Sequence, residues 1–417
     1  MPRATGSMVD GAAPDVASVL GRPDVTRAFA WIDGSLDALT SEHIELSEIE
    51  APPFGEALRA ERVRDLLRNA GLDDVTVDEV GNVIGTRAGQ TSESAIVLSA
   101  HLDTVFPAGT DCRVQRTDDR LYGPGIADDG CGLIAMIAVA RALVAGDVQT
   151  RRPIRFVATV GEEGDGDLRG CRHYFASPQS SARVAAFISL DGPGTERITH
   201  RALGSRRFEV HITGPGGHSW GDFGVVNPIH AIGRVIARMS TYPVPLEPRT
   251  SFSVGVVSGG TSVNAIPADA SCRVDLRSVS DVELARIEQY LRDAVAESVA
   301  DENRIAAASG TVLEVAIRPI GDRPSGETPA TAAIVSAAVE ASQVLGIRTV
   351  LDCASTDSNI PISLGLPAVT LGGGGSGGGT HTLEEWYDPA GRDLGIKRAL
   401  LLVVALADAP DGSSSIA

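Results

Sequence analysis

The chain has 417 residues, 43% apolar and 22% charged, the balance of a soluble globular protein with room for one to three domains. Its 54 acidic and 36 basic side chains leave a net charge of −18 with no basic run, so phosphate backbones and anionic lipid surfaces are repelled, and nucleic acid and membranes are poor partners. A single lysine, Lys397, lies in a leucine-rich stretch with no glycine-rich loop before it, which removes pyridoxal Schiff-base chemistry and the phosphate-binding P-loop.

Residues 1 to about 20 and Asp408 to Ala417 are small and polar and read as frayed ends. The first thirty residues contain no apolar core of a signal peptide, and runs such as Leu133 to Ala140 are too short to cross a bilayer. Five widely spaced cysteines (Cys112, Cys131, Cys171, Cys272, Cys353) form no C-x-x-C pair and fit a reducing compartment. The expectation is a cytoplasmic protein.

Between the ends, short Val/Ile-rich runs alternate with helical stretches, which predicts an α/β fold with a mostly parallel sheet covered by helices. Four runs read as buried strands: Ala95 to Ala100, Ile154 to Val160, Ala186 to Leu190 and Pro367 to Leu371. Gly130 to Val144 reads as a helix packed on that sheet. From about Arg206 to Ile320 the order becomes strand, long helix, two strands, long helix, strand, the order of a split βαβ sandwich inserted between the third and fourth strands. Residues 1–205 and 321–417 would then form one domain and 206–320 another.

Polar residues cluster where the apolar runs end. His101-Leu-Asp103 follows the first, Glu162-Glu163 the second, Asp191 the third, and a glycine loop leading to His381 the fourth, while Asp128-Asp129 precede the Gly130 helix. Open α/β sheets bind ligands outside the carboxyl ends of their strands, so these segments converge on one crevice. Imidazoles with carboxylates and no thiolate suit zinc, manganese or cobalt. Taken singly, His-x-Asp also reads as an ion pair, Glu-Glu as a solvated face, and Asp128-Asp129 as a helix cap and turn. Gly374-Gly-Ser376-Gly-Gly378 matches a serine-nucleophile elbow, but only His381 follows and no acid separates them, so the triad order fails. Cys131 reads as a small buried side chain at a helix start.

His101-Leu-Asp103, Gly123-Pro-Gly-Ile-Ala-Asp128-Asp129-Gly, Gly161-Glu162-Glu163, Asp191-Gly, Gly216-Gly-His218-Ser and His381 resemble, in order and spacing, the M20 family of co-catalytic metallopeptidases in the style of peptidase T. The resemblance runs from roughly residue 25 to residue 405. It implies a zinc-peptidase α/β domain with an inserted ferredoxin-like lid and dimerisation domain, hence a homodimer. It also implies two divalent ions per chain, with Asp128 bridging them, His101 and Asp191 completing one shell, and Glu163 and His381 the other. Glu162 would be the general base and Asp103 would orient His101. His218, supplied by the partner subunit, and Asn264 would stabilise an oxyanion, and Arg277 would grip a substrate carboxylate.

The implied activity is hydrolysis of a C–N bond in a small carboxylate-bearing substrate, a peptide or N-acyl amino acid. Two departures widen the choice. The Gly372 to Gly379 loop is longer and richer in glycine than in typical tripeptidases, and Trp220 and Phe223 flank His218. Members of similar motif style include an aminohydrolase of 5-nitroanthranilic acid, so deamination of an aminobenzoate is a second reading. A catalytically silent member is a third, and the complete ligand set with Glu162 argues against it.

Overall fold

The structure, a computed structural model, describes residues 14–176 and 182–410. The chain divides into two compact units, one holding residues up to Ala202 and from Glu327 onward, the other Leu203–Gly326.

The first unit is α/β. Its sheet places Asp73–Val77, Val83–Arg87, Ile154–Thr159, Ala95–His101, Val184–Leu190, Ala368–Leu371 and Arg197–Ala202 side by side in that order, and Val350–Ala354 pairs with Arg197–Ala202. The four runs read from the sequence as buried strands are neighbours, and all pair in parallel. Their continuous hydrophobicity follows from burial of both faces. Ile96, Leu98, Phe156 and Ile188 enter one core with the helices Gly130–Ala145, Ala333–Gln343 and Arg392–Asp408. The alternate residues Val97, Val157 and Phe187 enter a second, with Arg169–Tyr174 and Asn359–Ser363. Helices therefore cover both faces.

The expected fraying stops short at each end. Val16–Leu20 is a helix capped by Asp15, with Val16 and Val19 buried. Asp408 closes the last helix, and its carboxylate accepts from Arg22 Nη1 at 2.6 Å and from the Arg151 amide at 2.9 Å. The rest of that expectation, residues 1–13 and 411–417, lies outside the described residues. Residues 21–94, for which the sequence assigns no element, hold the helices Pro23–Gly34, Leu36–Ser47 and Ala57–Asn69 and the antiparallel strands Asp73–Val77, at the sheet edge, and Val83–Arg87 beside it.

In the second unit an antiparallel sheet runs in the order Thr250–Gly259, Asp269–Ser278, Gly204–Thr213, Glu314–Arg323, the strand order of a split βαβ sandwich. Helices Pro228–Met239 and Asp281–Ile305 pack with it around Val210, Ile212, Val235, Leu276 and Leu291. Asn227 and Ser280 are the N-caps of these helices, Asn227 accepting the Ile229 and His230 amides and Ser280 that of Glu283.

Candidate metal centre

All four parallel strands deliver polar residues at their carboxyl ends, and a fifth segment, the loop before Gly130, lies against them. The His101, Asp128 and Glu163 ligand atoms all lie within 4.8 Å of one another. Asp128 sits between two imidazoles, with Oδ1 2.9 Å from His101 Nε2 and Oδ2 3.3 Å from His381 Nε2. The His381 Nε2 is also 2.9 Å from Glu163 Oε1. His381 itself is half exposed and has a positive φ of 67°. Asp191, at the end of the third strand, is outside the tight group but near enough to feel the Asp128 charge.

Charge is crowded here. Burial pushes the Asp128 carboxyl up, but hydrogen bonds and charge from His101 and His381 hold it well below the usual carboxylate range. Burial, reinforced by Asp128, pushes Asp191 and Asp129 well up, although the nearby His101 lowers both. His381 is raised to about 10 by hydrogen bonds to Asp128 and Glu163. Clustered carboxylates and imidazole nitrogens without a thiolate are the donor set that divalent zinc, manganese or cobalt accepts, so the residues present fit such ions.

Asp103 does something the sequence does not suggest. His101 Nδ1 lies 3.0 Å from the Asp103 carbonyl oxygen and 3.6 Å from its carboxylate. The carboxylate also accepts the amides of Glu162 at 2.9 Å and Glu163 at 2.8 Å. It thus sets the backbone of both glutamates, which are themselves buried. Asp129 takes the capping role open to it: it accepts the Gly132 amide at the start of its helix, and also the His101 and Gly192 amides.

Glu385 was not singled out by sequence. It is fully buried, and its carboxylate accepts the amides of Gly125, Ala127 and Asp128, fixing the loop that presents Asp128. Burial raises its carboxyl to about 7 despite those three donors. Its place four residues after His381 is the one available signal. The Gly372–Gly379 run packs closely rather than lining a gap. A Cβ on Gly373 would lie 2.9 Å from the Cys131 carbonyl oxygen, and one on Gly374, whose φ is 92°, 2.5 Å from that of Arg392. An open cavity of about 1190 Å³ borders His381, walled by Phe106, Pro107, Arg113, Tyr122 and Leu383.

The remaining candidates lie in the second unit. Gly217–His218 pairs with Ala265–Ile266, which brings Asn264 beside His218 through a 3.0 Å bond from the Ser219 amide to the Asn264 carbonyl. His218 Nδ1 accepts the amides of Trp220 and Gly221, both at 3.2 Å, so the ring proton resides on Nε2. Trp220 and Phe223 are 87% and 90% exposed on the same turn. Arg277 Nε meets Asp275 at 2.7 Å.

Residues 97–405 match the model of the peptidase family M20/M25/M40. The chain belongs to this family. Its members hydrolyse C–N bonds, and the structure agrees with the family's mixed α/β fold. Among curated relatives, acetylornithine deacetylase of Myxococcus xanthus is 29% identical over 250 residues, 56% of this chain and 63% of that protein. Among solved structures, a Staphylococcus aureus tripeptidase superposes with a TM-score of 0.74 at 22% identity, covering 89% of this chain and 98% of that one. A dinuclear metal-binding M20 peptidase of Bacillus subtilis gives 0.65 at 20% identity, over 90% and 99%. At these identities the superpositions speak for the fold. No helix among the described residues is long and apolar enough to cross a membrane.

Proposed function

We propose that the chain is a two-metal hydrolase cleaving a C–N bond in a small carboxylate-bearing substrate, a peptide or N-acyl amino acid. One observation carries this reading: the Asp128 carboxylate is sandwiched between His101 and His381 at the carboxyl edge of a parallel sheet, with Glu163 against His381. In this reading His101 and Asp191 hold one ion, Glu163 and His381 the other, and Asp128 both. Two divalent ions in such a site supply Lewis acidity toward the scissile carbonyl and acidify a shared water.

The chain's own groups would do the rest. Glu162, buried and anchored through its amide to Asp103, takes the proton of the attacking water and returns it to the leaving amine. His218 donates from Nε2 to the developing oxyanion, with Asn264 beside it, because its Nδ1 is already committed to two amides. Arg277 supplies the planar grip for the substrate carboxylate. The inserted unit would act as lid and dimerisation domain, with His218 contributed by a partner chain. The described cysteines are all free, which suits the cytoplasm.

The names of the relatives speak of deacetylation and peptide cleavage, and no contact in the site favours an aromatic amine over an amide. The test is a turnover screen of manganese-, zinc- and cobalt-loaded protein against di- and tripeptides, N-acyl amino acids and aminobenzoates. Turnover of amides supports the proposal. Turnover confined to aminobenzoates would replace it with deamination, and metal-loaded protein silent on every class would mark a non-catalytic member.

A further inference from the structure

We infer that the helical segment before residue 97 is a working part of the metal centre, in which His43 and Arg59 are positioning residues that fix from behind the turns carrying His101, Asp103 and Asp128. The inference rests on the metal-site reading above. Both residues precede the segment that matches the family model, which begins at residue 97.

His43, on the Leu36–Ser47 helix, is fully buried. Its Nδ1 lies 2.6 Å from Arg392 Nη2 and its Nε2 2.7 Å from the Ile126 carbonyl oxygen. A guanidinium only donates, so Nδ1 accepts and the proton on Nε2 points at Ile126, two residues before Asp128. The same helix also presses on the far side of the ligand loop. A Cβ on Gly130 would lie 2.6 Å from Ser47 Oγ and 3.0 Å from His43 Nε2.

Arg59, on the Ala57–Asn69 helix, is 1% exposed. Its Nη1 donates to the Leu102 carbonyl at 2.9 Å, between His101 and Asp103, while Nε and Nη2 hold the carbonyls of Ile49 and Ser47. The chain then continues alongside, with the Thr104 amide donating to Ala51 at 2.9 Å. A guanidinium buried against carbonyls is costly when a leucine or methionine would fill the space, and burial lowers this one to about 10. What it gains is a fixed Leu102 carbonyl. Glu385 and His43 thus grip the Asp128 loop from two separate elements, and Arg59 grips the His101 turn.

His43→Leu keeps the volume and removes both bonds; His43→Gln keeps a donor and an acceptor. Arg59→Met and Arg59→Lys are the matching pair, since a lysine cannot span three carbonyls. The readouts are manganese and zinc dissociation constants by chelator competition, the visible absorption of cobalt-loaded protein, and the Tm of metal-free protein. His43→Leu and Arg59→Met should fold, bind metal roughly ten- to a hundredfold more weakly and change the cobalt spectrum. His43→Gln should restore both readouts, and Arg59→Lys should not. Folded variants with wild-type dissociation constants and cobalt spectrum overturn the inference and leave the metal site standing. If His43→Leu does not fold, His43→Asn, which reaches Arg392 but not Ile126, carries the same comparison with the same two outcomes. Wild-type protein that binds no divalent ion overturns the metal reading and this inference together.

Discussion

Glu385 accepts the amide hydrogen of Asp128 at 2.9 Å across 257 residues of chain. Replacing Glu385 by Gln turns an N–H toward backbone donors that need an acceptor, and a buried donor left unsatisfied costs about 1–3 kcal/mol. The variant should unfold at lower guanidinium concentration and bind less metal. An unchanged midpoint with full metal occupancy would show that the Asp128 loop holds itself.

Asp128→Ala should lose both ions, because one carboxylate serves two shells, whereas His381→Ala, which removes a half-exposed imidazole, should keep partial occupancy. Elemental analysis of the two purified variants decides. Two ions per chain in the Asp128 variant would rule out bridging.

Glu162→Gln should keep its ions and lower kcat by roughly 10²-fold or more, the scale of a lost general base. Steady-state kinetics beside metal analysis separates loss of the base from loss of the site. Near wild-type turnover would move the base elsewhere.

If His218 serves a partner chain, His218→Ala and Glu162→Gln are each nearly inactive, yet their mixture is not. Random exchange makes about half the dimers hybrid, each with one intact site, giving about a quarter of wild-type activity. Native mass spectrometry verifies exchange. Exchanged dimers that stay at the single-mutant level would confine His218 to its own chain.

Burial, reinforced by Arg392, holds the His43 ring well below the ordinary histidine pKa of 6.5. The unfolded chain then takes this proton first on acidification, so the contribution is present above about pH 6.5 and is lost as pH falls below it. Between pH 7.5 and 5.5, wild-type protein should therefore lose more stability than His43→Gln in urea titrations. Parallel losses would mean that the ring protonates in place.

The four central strands were legible because a strand buried on both faces leaves an unbroken apolar run, and the ligand candidates were legible because each sits where such a run stops. His43 and Arg59 gave no such sign, and Glu385 none beyond its place four residues after His381. Each acts on backbone groups, which every residue carries, so no pattern at the receiving end marks the partner. Asp103 was found, but a second task went unseen for the same reason: besides lying 3.6 Å from the His101 imidazole, its carboxylate accepts two amides.

The glycine run before His381 is closed to side chains at Gly373 and Gly374. With carbonyls of Cys131 and Arg392 already where side chains would start, evolution or an engineer has no room to sculpt selectivity from Gly373 or Gly374. If the open volume beside His381 receives the substrate, variation in what is accepted would be written on Phe106, Tyr122 and Leu383, which border it. A library that randomises those three positions should yield altered substrate ranges, and one aimed at the glycines should yield mostly insoluble protein.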